Sequence, residues 1–144
     1  MMRAGLFTVA LVLLLTGCSK KKESPEGVYR QFYGTMLKYA RAPYPGYRDR
    51  AFALLSDDAQ AALQARADAV NQALPADVEQ MSAESMLKVR SLRQDSPIKT
   101  IEVTERTDEA VILKVEFEDG VDTVRLVRQG ASWRVALFGS LQSN

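Results

Sequence analysis

The spacing of hydrophobic positions changes twice along the chain. Leu6 to Leu15 is an apolar run broken only by Thr8; between 24 and 74 apolar residues return every three or four positions; from Lys99 onward they alternate with polar ones. A continuous run, then a period near 3.6, then a period of 2 predicts a leader, a helical region and a group of strands, in that order.

Ser24-Pro25-Glu26 has the makings of a helix start: a capping hydroxyl, a proline in the first turn and an acid near the positive helix end. After it Val28, Tyr29, Phe32, Tyr33, Met36, Tyr39 and Ala40 share one half of a helical wheel, while Arg30, Gln31, Gly34, Lys38 and Arg41 share the other. This predicts an amphipathic helix of about 17 residues, stopped by Pro43-Tyr44-Pro45-Gly46. A short second helix is expected over Tyr47–Leu55 with Ala51, Phe52 and Leu55 inward. Ser56-Asp57-Asp58 then caps a third helix with the stripe Ala59, Leu63, Ala67, Val70 and Leu74, ended by Pro75. Residues 76–97 carry the weakest pattern; a helix over Ala83–Val89 and a linker to Pro97 are expected there.

In the C-terminal part Ile101 and Val103, then Val111, Leu113, Val115 and Phe117, then Val124 and Leu126, then Trp133, Val135 and Leu137 alternate with polar residues. Asp119-Gly120 is a strong hairpin signal. A two-residue turn there sets Val115 opposite Val124 and Leu113 opposite Leu126. A second turn at Gly130-Ala131 sets Leu126 opposite Val135 and Val124 opposite Leu137, and both keep every inward residue on one face. Helices followed by a one-sided antiparallel meander of four strands predict an α+β domain with the helices packed on one face of the sheet.

The leader has its own chemistry. Arg3 precedes the apolar run, which is too short for the roughly 20 residues of a spanning helix, so the segment reads as an export signal that is cut away. Its end, Leu15-Thr16-Gly17-Cys18, resembles the lipobox of bacterial lipoproteins. That resemblance implies a diacylglycerol thioether on Cys18, cleavage before it and acylation of the new amino group. Cys18 is the chain's one cysteine, and a lone exported thiol with nothing to pair with is best explained by lipidation. Two or three acyl chains hold a protein to a membrane far better than one. Ser19 stands where enterobacterial lipoproteins retained at the inner membrane carry Asp, so the expected address is the outer membrane, facing the periplasm. The expected organisation is thus a signal over 1–17, a lipidated and basic tether over 18–23, and one domain over 24–144.

Composition narrows the functional classes. Loss of Arg3 with the leader brings 19 cations to 18 against 18 acids, so no global field attracts nucleic acid. Lys20-Lys21-Lys22 is the one charge cluster, either a solvated spacer or a contact to anionic head groups. The chain has no histidine, which removes the commonest general base and every imidazole ligand; with Cys18 acylated no thiolate remains. No motif marks a metal, phosphate or nucleotide site, and no cofactor is expected.

Arg50-Ala51-Phe52-Ala53-Leu54-Leu55-Ser56-Asp57-Asp58-Ala59-Gln60 together with Gly130-Ala131-Ser132-Trp133-Arg134-Val135 resembles the small bacterial lipoproteins of the nuclear transport factor two-like superfamily. The resemblance implies a cone-like domain in which a curved sheet wraps around helices. Enzymes of that superfamily work inside the cone with an Asp, Tyr or His aimed at a small apolar substrate. Here Asp122 shares strand parity with Val124 and Leu126, and Tyr29, Tyr33 and Tyr39 share a helix face. These four are the candidate pocket residues, with Asp122 and Tyr33 as the pair able to act on a carbonyl compound. The competing expectations are that Asp122 is solvated at the hairpin mouth, that the tyrosines are core, and that Arg128 stacks on Trp133 opposite it.

The balance of these features points to a non-catalytic accessory or binding lipoprotein of the cell envelope, with a membrane and a possible envelope protein as partners. A ligand-binding or enzymatic cone is one alternative. The other is an assembly subunit using the outer sheet face, where Ile112, Val121 and Val127 lie.

Overall fold

The computed structural model describes residues 23–87 and 96–136. The export signal, Cys18, the lysines of the tether, the far end of the Ala83–Val89 segment and the Leu137 pairing lie outside the described residues.

Helix α1 spans Pro25–Arg41, and its start follows the local chemistry. The Ser24 hydroxyl accepts from the Gly27 N–H at 3.1 Å, Pro25 needs no donor in the first turn, and Lys38 and Arg41 sit at the negative end. The buried side is Val28, Tyr29, Phe32, Tyr33 and Met36, the face expected from spacing.

Helix α2 spans Pro45–Phe52, two residues earlier than expected at its start and three earlier at its end. Pro45 belongs to the first turn of the new helix instead of the break, because a fixed φ suits that position. Leu55 is not helical. It forms a parallel bridge to Val135, with the Ser56 N–H on the Val135 carbonyl and the Val135 N–H on the Leu54 carbonyl, both at 2.9 Å. A strand edge that would otherwise expose its amides is thereby covered.

Helix α3 spans Asp57–Ala73, capped by the Ser56 hydroxyl, which accepts from the Ala59 N–H at 3.2 Å. Ala59, Leu63 and Ala67 are buried, but Val70 is 38% exposed, so the helix outruns the surface it packs on and its stripe is only partly core. Beyond that point Asn71 clasps the following loop, donating to the Met81 carbonyl at 2.9 Å and accepting from the Met81 N–H at 2.7 Å. In place of the expected helix over Ala83–Val89, the described part is a single 3₁₀ turn, Glu84–Met86.

Strands β1 (Thr100–Arg106), β2 (Ala110–Phe117), β3 (Gly120–Gln129) and β4 (Ser132–Ala136) form one antiparallel sheet in the order β1-β2-β3-β4. With the three helices before them they make an α+β fold. Leu126 pairs with Val135 through the Gly130-Ala131 turn, as expected; Gly130 has φ +62°, a conformation that suits a residue without Cβ.

The other hairpin is displaced. Phe117 pairs with Gly120, so the turn residues are Glu118 and Asp119, Leu113 faces Val124 and Val111 faces Leu126. The shift is two residues, which preserves every inward and outward assignment. Neither turn residue has a positive φ, unlike the Asp-Gly turn that the sequence suggests, and Asp119 is placed to accept from the Ser96 hydroxyl at 3.1 Å. A bulge between Val103 and Glu105 interrupts the pairing of β1 with β2.

Val111, Leu113, Val115, Leu126 and Val135 on the sheet meet Phe32, Tyr33, Met36, Ala51, Leu55 and Leu63 from the helices in one hydrophobic cluster. Burial of this kind contributes roughly 1.5–3 kcal/mol per large apolar side chain, and it fixes which faces remain for function.

Candidate functional site

The candidate pocket residues come from two elements, α1 and the first half of β3. The structure brings three of the four together.

Tyr33 is 2% exposed, and its ring lies 5.2 Å from that of Phe117 and 6.2 Å from that of Tyr29. Its hydroxyl donates to the Ser96 carbonyl at 2.7 Å, and the Ser96 hydroxyl donates to the Asp119 carboxylate. Tyr33 is therefore occupied by the backbone that leads into β1. Burial pushes its hydroxyl pKa up, with the carboxylates of Asp119 and then Asp122 adding to the effect.

Tyr29 is 3% exposed. Its pKa is raised well above the ordinary 10.0, first by desolvation, then by the Asp122 carboxylate, then by Tyr33. A buried phenol beside a carboxylate keeps its proton at neutral pH. Among the described residues no protein hydrogen bond holds the Tyr29 hydroxyl. Asp122 is half-buried and pairs with Val115 across the strands, so it has the inward parity expected, at the hairpin end of the sheet.

Tyr39 stands apart. The Arg48 guanidinium lies 5.5 Å from its ring centroid and donates to its hydroxyl at 3.3 Å. The Arg48 Nε is buried and has no hydrogen-bond partner among the described residues.

Phe32, Met36, Leu113 and Trp133 are all buried in the space between helices and sheet. Arg128 pairs with Trp133 and lies 5.8 Å from its ring centroid, the stacked arrangement expected from spacing. Among the described residues no group of three or more Cys, Asp or Glu side chains is placed to hold a metal ion.

A concavity of about 680 Å³ lies elsewhere, open to solvent around the β1–β2 turn and the outer face of β2 and β3. Its lining includes Arg106, Arg125 and Arg128, the acids Glu105 and Glu109, and the apolar Ile112 and Val127. Of the outward residues expected to form an apolar patch, Ile112 and Val127 are half-buried and Val121 is 55% exposed. Farther along that face the Lys114 ammonium sits 3.0 Å from Glu116, which also accepts from the Thr100 hydroxyl at 3.1 Å. These contacts raise the Lys114 pKa and hold the Glu116 carboxyl below its usual range.

Ser96, Asp119 and Arg48 were not legible as partners of the tyrosines. Ser96 is 63 residues from Tyr33, and nothing local to a serine before a proline signals that contact. Set against protein-family models, curated proteins and solved structures, the chain matches none.

Proposed function

We propose that the chain is a bacterial envelope lipoprotein whose α+β domain acts as a non-catalytic accessory or binding module, held at the periplasmic face of the outer membrane by lipid on Cys18. The observation that carries it is the sequence Leu15-Thr16-Gly17-Cys18 at the end of a basic and apolar leader, with the chain's one cysteine in the modified position. Two features favour it. The described domain begins its first helix at Pro25, directly after the tether, and no described helix is long and apolar enough to cross a membrane. Attachment then falls to the lipid.

Burial of Phe32, Met36, Leu113 and Trp133 between the helices and the sheet favours a module that works through its surface over one that encloses a substrate. The kinship with nuclear transport factor two-like lipoproteins is part of the same proposal and rests on residues 50–60 and 130–135. A second reading, an assembly subunit that engages an envelope protein through its outer sheet face, is favoured by the concavity lined by Arg125, Ile112, Val127 and Arg128.

Intact mass spectrometry of protein extracted from membranes tests the anchor. The expected species starts at Cys18 and carries a diacylglycerol adduct; a chain with a free thiol at residue 18 would overturn the assignment.

A further inference from the structure

Residues 27–48 contain Arg30, Lys38, Arg41 and Arg48 and no Asp or Glu, in a chain whose cations and acids as a whole nearly balance. The acids of this region flank the stretch, at Glu23, Glu26 and Asp49. Helix α1 sets three of the cations in a line. Its buried stripe is Val28, Tyr29, Phe32, Tyr33 and Met36, and helical spacing puts Arg30, Gln31, Lys38 and Arg41 on the opposite side, where all four are exposed. The line runs from the Ser24 cap to the turn after Ala42. There Tyr44 is 63% exposed and its ring stands edge-on to that of Tyr47 at 5.7 Å. Arg48 adds a cation on Tyr39, and its Nε has no hydrogen-bond partner among the described residues.

A solvated helix face ordinarily mixes signs. Segregated cations ending at an exposed tyrosine instead have the chemistry of a lipid interface, where lysine and arginine meet anionic head groups and tyrosine sits at their level.

We propose that α1 lies flat on an anionic lipid surface, with Arg30, Lys38 and Arg41 over the head groups and Tyr44 at the interface. The inference rests on the lipid anchor proposed above and adds the orientation in which the domain is held. From Cys18 to Glu23 the chain reaches at most about 20 Å, which keeps the Ser24 end of the line near the membrane. A helix of 17 residues is about 25 Å long and can carry the other end down to it. The helices cover the inner face of the sheet, so the outer face and its concavity then point away from the lipid, open to a protein partner.

Spin labelling tests this in the whole protein, purified from membranes and returned to phosphatidylcholine vesicles with or without phosphatidylglycerol. With Cys18 lipidated, a cysteine introduced by Gln31→Cys or Thr123→Cys takes the label alone. Thr123 is exposed and pairs with Lys114 on the outer face. The label at residue 31 should be shielded from a water-soluble nickel chelate only when phosphatidylglycerol is present, and high salt should reverse this. The label at residue 123 should stay accessible throughout. Arg30→Gln and Lys38→Gln should each lower the ratio of docked to undocked protein about fivefold. Equal accessibility of residue 31 in both vesicles, or shielding that survives both substitutions, would overturn the orientation.

Failure of the anchor reads differently: the protein takes a second label at Cys18 and does not float with vesicles. Adding that unanchored protein to phosphatidylglycerol vesicles at low salt still decides the matter, since shielding of residue 31 supports the docking line and its absence overturns it.

Discussion

The Tyr33 hydroxyl donates a 2.7 Å hydrogen bond to the buried carbonyl of Ser96, joining the middle of the first helix to the segment that enters the sheet. Removing the hydroxyl leaves that carbonyl without its partner, which costs about 1–3 kcal/mol. Tyr33→Phe should therefore lower the denaturant midpoint clearly. Tyr29→Phe removes a hydroxyl that no described protein group holds, and should change stability by less than about 1 kcal/mol. Equal losses would show that Ser96 is not the group that matters.

Alkaline titration probes the same pair. Both tyrosines have raised pKa values when folded, mainly through burial, while the unfolded chain ionises near the ordinary 10.0. Between those values the unfolded state binds fewer protons, so stability falls as pH rises. The contribution is fully present below about pH 10 and is lost above it, by up to about 1.4 kcal/mol per pH unit for each group. Phenolate absorbance should show two of the five tyrosines ionising above the ordinary 10.0 in the folded protein. Five phenols titrating together in the folded state would contradict their burial.

The sheet offers a test of facing. Leu113 is fully buried, and Leu113→Ala should cost about 2–5 kcal/mol. Lys114 points to the other face, its contact with Glu116 solvent-exposed, and Lys114→Ala should leave the melt unchanged. Similar small effects from both would mean that the two faces are misassigned.

These faces were legible in the sequence because a period of 2 admits only two assignments, and the turn residues choose between them. The β2–β3 register was not legible, because a slip of two residues moves no side chain to the other face; the sequence favours Asp119-Gly120 and the chain turns at Glu118-Asp119. Helix α1 could be read to its ends from Ser24, Pro25 and Pro43. Helix α2 could not, since Ala51 is its only buried residue and one residue makes no stripe. Inside the candidate site, the shared face of Tyr29 and Tyr33 was visible in their spacing. That Tyr33 is committed to Ser96 depends on chain closure over 63 residues, which local patterns do not encode.

Anchoring has a direct check in cells. The anchor proposed above assigns all lasting hydrophobic attachment to Cys18, so with Cys18→Ser the folded domain should no longer resist extraction in the manner of an acylated protein. Fractionation with a high-salt wash removes contributions from surface cations. Uncleaved leader would be retained by its own apolar run, so the pellet is compared after placing a cleavable export signal before Ser19. A domain that still pellets after the wash would require another anchoring surface.

Asp122 decides whether the interior does chemistry. An acid paired with Tyr33 across a bound carbonyl compound would need that hydroxyl available, but Tyr33 donates to Ser96. At Tyr29 the Asp122 carboxylate is the largest influence after burial itself. The rings of Tyr29 and Phe117 pack against that of Tyr33, and Asp122 is half-buried at the hairpin end of the sheet. Asp122→Asn should then leave the fold intact and lower the pH at which Tyr29 ionises, because the charge opposing its phenolate is gone. The shift is measured by following the Tyr29 ring carbon resonances with pH in the wild type and the variant. An unchanged Tyr29 titration would separate the two side chains. Loss of an isomerase or lyase activity in a variant that folds and melts like the wild type would make Asp122 a catalytic residue and end the non-catalytic reading of the domain.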